Sequence, residues 1–113
     1  MSPSFTKSVV YFSINDNRLS GEIPFQIGNL QNMTRMQLQR NQFSGNIPYT
    51  IGNLEKMEQF TLEGNKLGGE IPAEVCDLTK NHLRQFIVDC FDARLNEGYD
   101  CEPDCCTLCR DVK

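Results

Sequence analysis

Residues of one kind return every 24 positions through most of this chain. Asn17, Asn41 and Asn65 are 24 apart, and the same step links Gly21, Gly45 and Gly69, then Ile23, Ile47 and Ile71. It also links Pro24, Pro48 and Pro72, and Leu30, Leu54 and Leu78. Written as consecutive units, the stretch reads VVYFSINDNRLSGEIPFQIGNLQN, MTRMQLQRNQFSGNIPYTIGNLEK and MEQFTLEGNKLGGEIPAEVCDLTK. Each fits LxxLxLxxNxLxGxIPxxIGxL, with Val, Met or Phe standing in at some Leu positions. Such self-similarity restricts the chain to stacked units, because a lone unit has an apolar edge that only its neighbours bury.

Each residue type has a mechanical role in the unit. Phe12/Ile14, Met36/Leu38 and Phe60/Leu62 alternate with polar residues, the period of a short strand with one face inward. Stacked at ~4.8 Å, these strands make a parallel sheet with one strand per unit. Asn17, Asn41 and Asn65 follow each strand where the chain turns, forming an asparagine ladder whose amides reach backbone groups that no regular ladder pairs. Glycine then permits a tight bend, and Ile-Pro fixes an extended segment. The IGNL stretch returns through a short helical or 3₁₀ piece.

LSGEIP at 19–24, FSGNIP at 43–48 and LGGEIP at 67–72 resemble the leucine-rich repeat family, in its 24-residue plant-type subclass, over residues 9–80. The resemblance implies an α/β repeat fold: a right-handed solenoid with a short parallel sheet on its concave face. It also implies a role common in that subclass, as a receptor ectodomain or secreted protein binding proteins, peptides or cell-wall polymers. The expected organisation is an irregular remnant at 1–8, three repeats at 9–80, and a degenerate fourth repeat with a cysteine-rich cap at 81–113.

After Leu78 the repeat deforms. LRQFIV (83–88) reads as a fourth strand, two residues late, as if Asn81-His82 were inserted. All six cysteines (Cys76, Cys90, Cys101, Cys105, Cys106 and Cys109) lie in the last third. A solenoid must end in something that covers its last apolar layer, and a disulfide-linked flap does so with few residues. Six cysteines allow fifteen pairings, and spacing does not choose among them; a link from Cys76 to the tail is the expected one. The run from Asp89-Cys90 through Cys101, Cys105-Cys106-Thr107 and Cys109 resembles the tail of algal, diatom-type leucine-rich repeat proteins. It departs from that pattern in the three residues before the CC pair and in its single final cysteine. The competing reading is a zinc site built on Cys106-x2-Cys109.

Composition narrows function. Hydrophobic residues at 39% and charged residues at 23% describe a globular chain. A net charge of −4 argues against nucleic-acid or anionic-membrane surfaces, and no run approaches the ~20 apolar residues of a membrane helix. His82, the one histidine, sits in the irregular insertion, and no nucleophile has a plausible histidine partner. Phosphate-loop and metalloprotease motifs are missing, and Glu97, Asp100, Glu102 and Asp104 lack EF-hand spacing. The expectation is a non-enzymatic module without a cofactor. Asn32-Met33-Thr34 is a glycosylation sequon.

The expected ligand-binding residues are the outward strand positions of the concave face: Tyr11, Ser13 and Asn15; Arg35, Gln37 and Gln39; Gln59, Thr61 and Glu63. Ile87 and Asp89 continue two of these columns. Long amides and arginines suit a peptide backbone or sugar hydroxyls, and Tyr11 offers a ring. Four strands at ~4.8 Å make a patch only ~19 Å wide, below a standard interface. Hence the expected setting is a larger receptor-like or secreted protein at the cell surface, with a protein, peptide or cell-wall polysaccharide ligand. Self-association through the N-terminal edge strand is a further expectation. The alternatives are a wall- or ice-binding surface protein, which a flat threonine array would favour, and an intracellular scaffold with a zinc tail.

Overall fold

A computed structural model describes residues 10–99, 105 and 108–110. The expected remnant at 1–8, Cys101, Cys106, and the acidic residues Asp100, Glu102 and Asp104 lie outside the described residues. In chain order the elements are β1 (Tyr11–Ser13), β2 (Ser20–Glu22), β3 (Arg35–Gln37), β4 (Gln42–Gly45), β5 (Gln59–Thr61), β6 (Lys66–Leu67), α1 (Ala73–Cys76), β7 (Gln85–Asp89) and β8 (Leu108–Arg110). Short 3₁₀ turns at Phe25–Asn29, Tyr49–Asn53 and Asp77–Lys80 return the chain toward the next strand.

The period-two segments form the main sheet, all parallel, in the order β1-β3-β5-β7-β8. Phe12 pairs with Met36 and Met36 with Phe60, each 24 positions on. Phe60 then pairs with Phe86, 26 positions on, so the two extra residues are absorbed before β7. Met36, Phe60 and Phe86 are fully buried, and the two phenyl rings stack at 5.4 Å with planes 5° apart. Leu38, Leu62 and Val88 make a second buried row; Ile51, Leu54, Val75 and Leu78 line the return side. Each such side chain contributes roughly 1.5–3 kcal/mol by leaving water. The first unit is thinner, since Phe12, Ile14, Ile27 and Leu30 are only partly buried.

The asparagine ladder fills the turn. Asn65 Nδ2 donates to the carbonyls of Leu38 and Leu62, both at 2.9 Å, and its Oδ1 accepts from Phe43 N at 3.0 Å. Asn41 repeats this on Ile14 and Leu38 and accepts from Leu19 N. Among the described residues, Asn17 reaches only within its own unit, to Ile14 and Asn15.

Two elements were not legible in the repeat pattern. The short stretches around the bend of each repeat form a second parallel sheet, β2-β4-β6. The tail adds β8 beside β7, with Ile87 opposite Leu108 and Val88 opposite Cys109, so the concave sheet gains a fifth strand.

Closure of the last unit has a steric logic. A Cβ on Gly28 would lie 2.5 Å from Thr50 O, and one on Gly52 would lie 2.5 Å from Glu74 Cβ. Glycine stands there because the next turn packs directly against it. Cys76 holds the same position in the third unit, where the tail follows in place of another repeat, and it is bonded to Cys105. Cys90 is bonded to Cys109. Those four sulfurs are committed to bridges and so are not thiolate ligands for the alternative zinc site. Between the bridges, residues 90–99 fold over β6: Gly98 N donates to Leu67 O at 2.7 Å, and Tyr99 is buried in the core. Gly98 has φ +87°, and a Cβ there would lie 2.2 Å from Cys90 O, so only glycine fits the turn.

Candidate functional site

The concave sheet sets its outward side chains in register: Tyr11, Arg35, Gln59 and Gln85 in one row, Ser13, Gln37, Thr61 and Ile87 in the next. Hydrogen bonds tie these rows together. Tyr11 Oη donates to Gln37 Oε1 at 3.0 Å, and Ser13 Oγ reaches the same oxygen at 3.2 Å. Gln37 Nε2 donates to Gln59 Oε1 at 3.3 Å, and Gln59 Nε2 to Gln85 Oε1 at 2.7 Å. The result is an amide chain across four strands, each glutamine accepting on one side and, at Gln37 and Gln59, donating on the other. Orienting these amides in advance lowers the cost of ordering them around a ligand.

The expected residues divide by location. Tyr11, Ser13 and Arg35 are exposed, and Asn15, Gln37, Gln39, Gln59 and Glu63 are half-buried. Thr61, expected on the accessible face, is only 4% exposed and donates to Gln39 Oε1 at 2.7 Å. Two column positions are also buried. Ile87 lies beside Leu108 of β8, which extends the sheet there. Asp89 turns into the structure, accepting from Gly64 N at 2.8 Å and Asn65 N at 3.2 Å. Earlier in the stack, main-chain carbonyls accept from the equivalent amides, as when Arg40 N donates to Glu63 O. Burial pushes the Asp89 carboxyl above the usual range, and the two backbone N–H groups partly offset that push.

The accessible surface therefore lies toward β1 and β3. At its margin Arg40 and Asp16 form an ion pair, with Arg40 Nη2 2.8 Å from Asp16 Oδ2. The guanidinium, joined by the Asn15 amide, lowers the Asp16 carboxyl to about 2. Asp16 and Arg40 both adopt left-handed backbone, φ 61° and 58°, and Gly64 occupies the equivalent place in the third unit. Asp and Gly tolerate this backbone better than most residues, whereas Arg40 adopts it because the turn requires it. Arg35 and Arg84 have no ion-pair partner among the described residues. No three metal-ligating side chains gather among those residues, and no described helix is long and apolar enough to cross a membrane. The sequon residue Asn32 is half-buried and accepts from Lys56 Nζ at 2.8 Å.

Repeat, register and closure define the fold: a right-handed leucine-rich-repeat solenoid, with disulfides in its C-terminal region. The family model described as Leucine Rich Repeat matches residues 8–30 and 32–54. No curated protein matches the chain. Among solved structures, the chain resembles one from the BIR3–SERK2 complex of Arabidopsis thaliana (TM-score 0.67, 29% identity, 76% of this chain and 46% of that one). It also resembles one from the PEPR1–AtPEP1 structure (0.64, 31%, 72% and 12%). A third likeness is to the plant peptide hormone receptor RGFR1 in complex with RGF2 (0.66, 26%, 77% and 14%). This chain thus spans less than half the length of each.

Proposed function

We propose that this chain is a non-enzymatic recognition module whose concave face, from β1 to the first residue of β7, binds a protein or peptide segment. The observation that carries the reading is the pre-oriented amide chain of Gln37, Gln59 and Gln85, flanked by exposed Tyr11 and Arg35. An extended peptide has alternating carbonyls and N–H groups that such amides and a guanidinium match. The structures it resembles, among them a plant peptide hormone receptor in complex with RGF2, support the same use. The disulfides support an oxidising, extracellular setting, and the Asn32 sequon fits it. In this proposal the tail is algal-type, and the chain serves as part of a larger receptor-like or secreted protein.

The test is selection from a random peptide display library on the 113-residue chain. Peptides that enrich, and that lose binding to a Tyr11→Ala/Arg35→Ala/Gln37→Ala variant of unchanged melting temperature, support the reading. Failure to enrich, or enrichment indifferent to that variant, rejects it.

A further inference from the structure

A second surface has a different chemistry. The Ile-Pro segments that leave β2 and β4 border an open groove of about 520 Å³. The rings of Phe25 and Tyr49 stand in it at equivalent positions of successive repeats, 62% and 63% exposed. Both follow a proline, Pro24 and Pro48, whose fixed backbone turns the next side chain out at the start of the 3₁₀ turn. Rings this exposed do not stabilise the core, and the two line one groove from adjacent repeats. Glu22 and Glu70 line the same groove, and no Lys or Arg does so. Among the described residues neither carboxylate has an ion-pair partner. The Glu22 side chain lies over the bend of the next repeat, since a Cβ on Gly45 would lie 3.0 Å from Glu22 Cγ.

We infer that this groove docks an extended, proline-rich peptide segment bearing arginine. Charge complementarity selects the cation: two unpaired carboxylates beside exposed aromatic faces suit guanidinium groups, which pair with the first and stack on the second. The aromatic-and-proline walls select the backbone, because a polyproline II strand is already extended and loses little entropy on docking. The site is separate from the concave face, where the exposed Arg35 has no ion-pair partner among the described residues.

The experiment is fluorescence anisotropy of a labelled peptide of three Arg-Pro-Pro repeats titrated with the whole chain. Comparators are the Gln-Pro-Pro analogue and a neutral β-linked glucose hexamer. Binding is expected to saturate, to weaken with added salt, and to fall about tenfold in either Phe25→Ala/Tyr49→Ala or Glu22→Gln/Glu70→Gln. The first pair changes no charge, and both rings lie outside the core, so folding is checked by an unchanged melting temperature. A charge-matched control, Glu55→Gln/Glu97→Gln, and the concave variant Tyr11→Ala/Arg35→Ala are expected to bind as the parent does. Loss in the concave variant with retention in Phe25→Ala/Tyr49→Ala overturns the groove and leaves the concave reading standing. Equal loss in the charge-matched control reduces the effect to net charge and also overturns it. Equal binding of the Gln-Pro-Pro peptide, or preferred binding of the glucose hexamer, overturns the cationic partner.

Discussion

The middle of the stack and its C-terminal end solve one problem by different means. In the middle, the partner of almost every group is its own copy one repeat away: Met36 on Phe60, Asn41 and Asn65 on carbonyls one unit back, Gly28 under the next turn. At the end the copy is missing, and each vacated contact has a substitute of another kind. The Asp89 carboxylate accepts from Gly64 and Asn65, β8 takes the next strand's place, and a disulfide stands where a glycine would lie under another turn. Translational symmetry needs only weak bonds repeated, whereas its termination needs stronger or covalent ones.

The largest expected effect tests that substitution. Cys76→Ser opens a bridge spanning 29 residues, and is expected to lower stability by ~3.5 kcal/mol. Urea unfolding followed by circular dichroism checks it; reduction of the parent should approach or exceed the same loss, since it also opens Cys90–Cys109. No change in midpoint would mean that packing alone closes the solenoid.

The ladder sharpens the comparison within the repeats. Asn65→Ala removes the side-chain partner of Phe43 N and of the Leu62 carbonyl, while Leu38 O keeps Asn41 Nδ2, and is expected to cost about 2–3 kcal/mol. Asn17→Ala, at an exposed rung with no bond to a preceding unit, is expected to cost under about 1 kcal/mol. Equal losses in matched thermal melts would show that the rungs act locally and do not couple neighbours.

The smallest effect is in pH dependence. The Asp89 carboxyl is held above its ordinary value of 3.8 in the folded chain, chiefly by burial. The folded state therefore retains its proton to higher pH than the unfolded state. Its contribution to stability is present at low pH and declines as pH rises from that ordinary value through the raised one. Asp89→Asn removes this slope while keeping one acceptor oxygen for the turn. Melting temperatures across the acid range, parent against variant, measure it; an unchanged slope assigns the pH dependence elsewhere.

Much of the fold was readable because the repeat states it three times. Strand positions, buried rows and ladder asparagines all recur at fixed spacing, and the late entry of β7 was visible as an insertion. The second sheet was hidden because its segments contain Ser and Gly, which carry low strand propensity and read as turns. The tail strand was hidden because CTLCR repeats nothing upstream. The candidate face was legible where repeats continue on both sides, as at Arg35 and Gln37. It failed at Thr61, Ile87 and Asp89, near the cap: an outward position in a repeat is outward only while the surroundings repeat too. The left-handed position was hidden at Arg40, since the turn imposes that backbone there on a residue type that rarely adopts it, unlike Asp16 and Gly64 at the equivalent places.

The glycine under each return turn also governs how such a chain can lengthen. A duplication of 24 residues placed before Ala73 copies Gly28 or Gly52 and so supplies the flat surface its new neighbour requires. A unit appended after Lys80 would instead press its turn onto a side chain already bonded to Cys105. Growth by internal copying is thus open on one side of Cys76 and closed on the other, which makes that residue the terminus of the solenoid in the genetic as well as the geometric sense.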